Sequence, residues 1–420
     1  MKKILLGLAI TILSLLLIWA ILLYPMLLPY VGLRTLPEFP AETKATVDSA
    51  WQHMETTLQE SLLATAKKLN APGISAAIGV DDKVIWAQAL GHADISEGKP
   101  ASVRTQFRVG SVSKSITSVG LGKMVEDGLV NLDDAVQSHV PYFGEDKPAL
   151  SLRQLASHTS GIRHYGFCFC FPAVESLSTK QFDSMEESVG IFGKDKLQFE
   201  PGRGFQYSTY GYTLLSAAME EASGKPFLDY MQQQVFAPLG MSQTMGDLST
   251  KEVPERTRFY IVRKGKYREA YSVNSSYKWA GGGMLSTPTD LIKMANALLN
   301  DNFLDSTTRE ELWTPIPLDN GEMNPQNYAL GWRIGEVSEL VPEGNVSIVH
   351  HGGTITGSIT LLILFPEYKV SIAMMVNRSG SSGELFKPIF NLAKVILPVK
   401  AAMQAEKEQQ HAEASTVESE

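Results

Sequence analysis

A chain of 420 residues, 44% hydrophobic and 20% charged, with 34 Gly and 21 Pro, has the make-up of a folded protein with one or two sizeable cores, which excludes a disordered, collagen-like or wholly coiled-coil molecule. The formal net charge is −8, of which residues 401–420 supply five Glu against one Lys, so the folded part is only mildly acidic and carries no basic footprint for nucleic acid. Two cysteines exclude a disulfide scaffold and a cysteine-built zinc site; Cys168 and Cys170, one residue apart, would form a strained bridge and read as free or buried thiols.

Lys2 and Lys3 precede an apolar run from Ile4 to Tyr24 interrupted only by Thr11 and Ser14, and no further charge comes before Arg34. As a helix this run is roughly 30 Å long, enough for the hydrocarbon core of a bilayer. It passes into Tyr24-Pro-Met-Leu-Leu-Pro29 with no small-x-small cleavage site and no cysteine for a lipid. The expectation is an uncleaved signal-anchor over residues 1–30 rather than a long cleaved signal. The chain would then be a single-pass membrane protein with its N-terminus cytoplasmic and the remainder extracytoplasmic, periplasmic in a bacterium.

Residues 31–45 read as a Pro-containing linker. Trp51, Met54, Leu58, Leu62, Ala66 and Leu69 recur at helical spacing and predict a helix over 47–69, broken by Pro72-Gly73. The runs 74–80 and 84–89 flank Asp81-Asp82-Lys83 as a hairpin, and 258–262 and 267–271 flank Lys264-Gly265 as another. Helices are predicted over 111–127, 132–140, 152–157, 212–222 and 289–299, the last with Pro288 ahead of it. Segments 347–350, 358–365 and 370–376 are strand-like, and 385–397 is the last helix. Strands at both ends with helices between predict an α/β fold: one domain over 46–398, its ends sharing a sheet and residues of about 140–290 forming a helical insertion. A cleft between the two parts is the natural place for a site. Residues 399–420 read as a disordered acidic tail, solvated or frayed helix.

Three segments could carry chemistry. Ser111-Val-Ser-Lys114 opens a strong helical pattern after an extended stretch, so the Lys114 amine can reach the Ser111 hydroxyl one turn away. Burial and nearby positive charge would lower the lysine's pKa and let it activate the serine. The alternative is a capping serine with a surface lysine; Ser-x-x-Lys also occurs at Ser96/Lys99 and Ser275/Lys278. Pro201-Gly202-Arg203-Gly204-Phe205-Gln206-Tyr207-Ser208-Thr209 puts polar tips on a turn at a helix start, where Tyr207 could pass protons. The third is His350-His351-Gly352-Gly353-Thr354, beside a strand. Adjacent histidines on a strand point to opposite faces, so this pair does not read as a metal site, and no cofactor is implied.

In that order, Ser-Val-Ser-Lys114, Tyr207-Ser-Thr209 and His350-His-Gly352 resemble the three signature elements of the serine β-lactamase and penicillin-binding-protein superfamily, in its class C-like branch. Leu155-Ala-Ser-His-Thr-Ser-Gly-Ile162, Tyr210-Gly-Tyr-Thr-Leu-Leu-Ser216, Pro238-Leu-Gly-Met241 and Ala280-Gly-Gly-Gly-Met-Leu-Ser-Thr287 resemble that branch too. Within it, Ser160-Gly-Ile-Arg-His-Tyr165 and Tyr277-Lys-Trp-Ala-Gly-Gly-Gly283 are similar to the mitochondrial β-lactamase-like serine proteases. The likeness spans about Pro72 to Leu397.

The resemblance implies a β-lactamase/transpeptidase-like fold, an antiparallel sheet flanked by helices, and a serine hydrolase that works through a covalent acyl-enzyme. It makes Ser111 the nucleophile, Lys114 its activator and Tyr207 the general base or acid. Backbone N–H groups of Ser111 and Gly353 would form the oxyanion hole, with Gly352, His350 and Thr209 in substrate binding. Thr209 stands where relatives have Asn, and His350 where many have the lysine of Lys-Thr-Gly, so efficient β-lactam hydrolysis is not expected. The substrate would be a peptide, amide or ester, with peptides favoured, and a homo-oligomer is compatible with the resemblance. The alternative is a penicillin-binding-like sensor or filament-forming scaffold with weak catalysis, against which the intact Ser111, Lys114 and Tyr207 speak.

Overall fold

In the computed structural model, which describes residues 2–27, 31–40, 45–144, 146–166, 174–249, 251–342 and 344–417, strands from both ends of the chain pair into one antiparallel sheet. Its strands are β1 (Thr46–Val47), β2 (Gly73–Val80), β3 (Lys83–Asp94), β4 (Arg333–Ser338), β5 (Asn345–Ile355), β6 (Ser358–Phe365) and β7 (Val370–Val376). They lie in the order β4-β5-β6-β7-β2-β3-β1, and Lys99–Pro100 adds an eighth strand on β3. The two chain ends meet where β7 pairs with β2, Val370 opposite Val80 and Val376 opposite Ile74. This is the expected α/β architecture, with segments 74–80, 84–89, 358–365 and 370–376 in one sheet.

The continuous apolar runs of β2, β6 and β7 are buried at every position because both faces of the sheet are covered. One face, with Ile74, Ile78, Ile372 and Met374, packs on Leu58 and Leu62 and on Ile389, Leu392 and Ile396 from the two ends of the chain. The other face, with Ala77, Ala373, Met375 and Leu362, packs on Ile116, Leu291, Ala295 and Leu298 and runs on into the helical middle. Each fully buried leucine contributes about 1.5–3 kcal/mol by removing its side chain from water.

The helices that matter here are α1 (Lys2–Leu27), α2 (Glu55–Leu69), α3 (Val112–Glu126), α4 (Thr209–Ser223), α5 (Trp279–Gly282), α6 (Pro288–Leu299) and α7 (Phe386–Val417). The predicted helix 132–140 shrinks to Val136–His139, and the last helix continues past Leu397 through Val417, since its Ala-, Glu- and Gln-rich end has high helix propensity. Strand β4 and the helix Ser306–Trp313 have no counterpart in the sequence reading. Cys168 and Cys170 lie outside the described residues.

The membrane assignment is corrected. Among the described residues no helix is long and apolar enough to cross a membrane. Helix α1 forms, and its described apolar side chains from Ile4 to Trp19 are exposed. The signal-anchor, the membrane as a partner and the single-pass location with an extracytoplasmic domain are therefore not retained.

Candidate active site

Helix α3 is buried on nearly all sides, and its polar residues are held by the surrounding elements. Ser115 Oγ donates to Gly331 O (2.7 Å) and Thr117 Oγ1 to Ala280 O (2.9 Å), which fixes the helix against α5 and the approach to β4. Ser111 stands at its N-terminus without capping it through the side chain, and Lys114 is fully buried. The capping-serine, surface-lysine alternative is thereby excluded. The Lys114 Nζ lies 3.4 Å from Ser111 Oγ, 3.2 Å from Thr209 Oγ1 and 2.5 Å from Gly281 O. Burial, then the charges of Arg333 and Lys278, push the Lys114 pKa well below its ordinary value. In its neutral form such an amine can donate to Thr209 and Gly281 and accept from the Ser111 hydroxyl. The other Ser-x-x-Lys at 96–99 is engaged elsewhere: Ser96 Oγ donates to Asp94 (2.6 Å) and Lys99 Nζ to Pro254 O (2.7 Å).

Two glycines bring β5 against the turn that carries Ser111. Gly110 has φ +52°, and a Cβ there would lie 2.9 Å from Thr354 N. A Cβ on Gly353 would collide with the Val109 carbonyl and lie 3.2 Å from Ser111 N. Gly353 and Thr354 thus pack directly against the turn that carries Ser111.

Tyr207 reaches the same point just before α4, whose start is set by Ser208: its Oγ accepts from Gly211 N (3.0 Å) and donates to Arg163 O (2.7 Å). The His158 ring lies 4.3 Å from the Tyr207 ring, and the Lys114 Nζ 4.7 Å. Burial drives the Tyr207 pKa up to about 12, against Arg333 and a hydrogen bond with Ser111, which draw it down. Tyr207 therefore carries its proton at neutral pH. Arg333, at the start of β4, is clamped by Gln326 Oε1 (2.7 and 3.1 Å) and places its guanidinium 5.3 Å from the Tyr207 ring and 5.0 Å from the Tyr328 ring.

Of the two histidines on β5, only His351 faces this cluster. Its Nε2 accepts from Arg333 Nη1 (3.1 Å) and meets Tyr328 OH (2.9 Å), while Nδ1 lies 2.8 Å from Gly352 O. Arginine can only donate, so the His351 proton sits on Nδ1 and the ring is neutral. Burial and Arg333 hold its pKa well below the usual value. His350 points to the opposite face, edge-on to Phe386 of α7 at 5.1 Å, with its pKa pushed down to about 4 by burial. Ser111, Lys114, Tyr207, Thr209 and Gly353 are thus brought together, whereas His350 and Gly352, where a Cβ would meet Ser382, belong to the opposite face; strand alternation makes the two neighbouring histidines exclusive.

A cavity of about 350 Å³ opens in front of Ser111 and Thr209, walled also by His164, Tyr165, Ser176 and Lys278. His164 Nδ1 accepts from Thr209 N (3.1 Å), and burial drives its pKa down to about 4. Lys278, His164, His351 and Arg333 were not assigned to the site from sequence. Strand alternation could have found His351, and Lys278 sits in a second Ser-x-x-Lys; nothing local marks Arg333. Among the described residues no group of three or more His, Cys, Asp or Glu could hold a metal.

An antiparallel sheet flanked by helices, with Ser-x-x-Lys at a buried helix start, defines a serine hydrolase that acts through an acyl-enzyme on peptide, amide or ester bonds. The chain belongs to the Beta-lactamase family, whose model matches residues 52–395. It is 32% identical over 429 residues to the mitochondrial serine beta-lactamase-like protein LACTB of Homo sapiens, covering 81% of this chain and 78% of that protein. It is 27% identical to penicillin-binding protein 4* of Bacillus subtilis, over 75% of this chain and 70% of the relative. Among solved structures, the octameric penicillin-binding protein homologue from Pyrococcus abyssi superposes with a TM-score of 0.66 at 24% identity, covering 82% of this chain and 77% of that one. The D-amino acid amidase from Ochrobactrum anthropi SV3 superposes at 0.68 and 24% identity, covering 84% and 100%. These two share the fold.

Proposed function

We propose that the protein is a peptide- or amide-cleaving hydrolase in which Ser111 is acylated, Lys114 takes its proton and Tyr207 protonates the leaving group. The observation that carries this reading is the buried Lys114 amine, between Ser111 Oγ, Thr209 Oγ1 and Gly281 O, with its pKa driven down by burial and two neighbouring cations. Ser111 Oγ attacks the carbonyl carbon as Lys114 accepts its hydrogen. Negative charge grows on the carbonyl oxygen, where the Ser111 and Gly353 N–H groups and the positive end of α3 stabilise it. Tyr207, protonated at rest, gives its hydrogen to the departing nitrogen or oxygen and is restored from Lys114. Water then enters where the leaving group was, and the same groups run in reverse to free the acid and Ser111.

Thr209 fixes Lys114 with a hydroxyl and lacks the amide of the residue it replaces. No lysine occupies the place of Lys-Thr-Gly; His351, neutral beside Arg333, faces the site from that strand. Both features favour amides and esters over β-lactams. The name of the solved D-amino acid amidase is a further support for amide cleavage. A sensor or scaffold without turnover would leave the paired Ser111 and Lys114 without a use, and is not favoured.

The test is pre-steady-state kinetics with a 4-nitrophenyl ester and a peptide 4-nitroanilide sharing one acyl group. A stoichiometric burst with the ester and measurable turnover of the anilide are expected. A burst without any anilide cleavage would restrict the enzyme to esters, and no burst or turnover with either would contradict the reading.

A further inference from the structure

Lys278 is a buried cation for which the protein supplies little. Its side chain belongs to the residue that opens α5 and is 3% exposed. One contact of its ammonium is with a protein oxygen, Ser176 O at 3.1 Å, and the rings of Tyr277 and Tyr165 lie 5.0 and 5.6 Å away. An ammonium has three hydrogens to place. Among the described residues no carboxylate lies within ion-pair distance of Lys278. Asp247, the acid that acts on it most, is already held by Arg108 at 2.6 Å and Arg256 at 3.3 Å. A buried charge without a counterion is costly, and a neutral side chain would be cheaper at this place. Yet Lys278 lines the same cavity as Ser111, and Lys114 holds the Gly281 carbonyl of the helix that Lys278 opens.

We propose that Lys278 is the anion-reading residue of this pocket and binds a carboxylate carried by the substrate, as an acidic side chain or a free terminal carboxylate, beside the bond that Ser111 attacks. The inference rests on the reading of Ser111 as nucleophile. The substrate's carboxylate supplies the missing counterion and takes up the remaining ammonium hydrogens, while the two tyrosine rings keep water from competing. It also gives a cation to a pocket whose strand carries histidines where relatives carry lysine.

The groups that bear on Lys278 set the pH response. Burial, then Arg108, push its pKa down, to about 7, Asp247 draws it up, and the charges of Lys114 and His164 are coupled to it, His164 from the same cavity wall. The charge is present below that value and is lost as pH rises through it, so preference for a carboxylate declines toward alkaline pH. Comparing matched substrates cancels what the titration of Lys114 does to both.

The experiment measures kcat/KM on the full-length protein with two matched pairs. N-acetyl-Asp against N-acetyl-Asn 4-nitrophenyl esters place the carboxylate on the acyl side. A depsipeptide ending in lactate against the same one ending in lactamide places it on the leaving side. One pair is expected to favour the acid by about tenfold or more, as charged hydrogen bonds do. That ratio should fall to about one in Lys278→Met and decline between pH 6 and 9 in the unaltered protein. A ratio at or below one for both pairs, or a preference unchanged in Lys278→Met, overturns the inference. Labelling by an uncharged fluorophosphonate, run alongside, reports the nucleophile separately: its absence from the unaltered protein overturns the Ser111 reading. The pH series stands without the variant if Lys278→Met does not fold.

Discussion

Arg333 donates from Nη1 to Nε2 of His351 at 3.1 Å, and this one hydrogen bond fixes a permanent cation and a neutral imidazole side by side in front of Tyr207. The strand that carries a lysine in many relatives thus offers no charge of its own here. The charge comes from the neighbouring strand, and it acts on Lys114 and Tyr207 together.

Removing that charge should shift the pH profile. Arg333 holds the pKa of Lys114 down and opposes the upward push of burial on Tyr207, so in Arg333→Gln both pKa values rise. A base that must be neutral then needs a higher pH, and the acidic limb of kcat/KM moves up by about one unit. Arg333→Lys should restore much of the original position. A profile that falls in height without moving would assign Arg333 a packing role only.

Lys114 fills space as well as moving protons. Lys114→Met keeps the volume and removes a buried amine, so fluorophosphonate labelling should fall by at least about a thousandfold while Tm holds or rises. Lys114→Ala should lose labelling too, but with a stability cost of about 2–4 kcal/mol from the cavity left by a fully buried side chain. Thermal melts and labelling of the two variants check this; Lys114→Met that still labels at the original rate would remove Lys114 from the chemistry.

Tyr207→Phe keeps the ring against His158 and deletes only the hydroxyl. General acids typically contribute 10²–10⁴ in rate, so kcat for a substrate with a poor leaving group should fall by about that factor, and less for 4-nitrophenol, which departs unaided. A loss below about tenfold with the poor leaving group would make Tyr207 a positioning residue.

His350 belongs to the opposite face of the sheet, so its titration should register in stability. Its folded pKa of about 4 lies below the ordinary value of 6.5. Above 6.5 neither state is protonated. As pH falls from 6.5 toward 4 the unfolded chain takes up the proton and the folded one does not, so stability falls across that window, by on the order of 2–3 kcal/mol from this residue. His350→Phe should flatten that part of a denaturation series and leave substrate ratios unchanged. A changed carboxylate-to-amide ratio in His350→Phe would place His350 at the substrate.

The sheet was legible because β2, β6 and β7 are uninterrupted apolar runs, and α3 because its apolar residues follow directly on Ser111. β4 escaped because Arg333-Ile-Gly-Glu-Val-Ser338 has only two apolar side chains and covers an edge. The site divided along the same line. Ser111, Lys114, Tyr207 and Thr209 sit at helix starts, where spacing fixes geometry, whereas the choice between His350 and His351 depends on which face of β5 meets the core. Arg333 and Lys278 enter from elements far away in sequence, and only the folded chain brings them to Ser111.

The most direct measurement is intact mass of the protein after reaction with a fluorophosphonate, followed by peptide mapping. The account predicts one adduct per chain, on the peptide that contains Ser111, absent from Ser111→Ala together with hydrolysis of every substrate turned over by the unaltered enzyme. An adduct on another residue, or hydrolysis retained in Ser111→Ala, would contradict it.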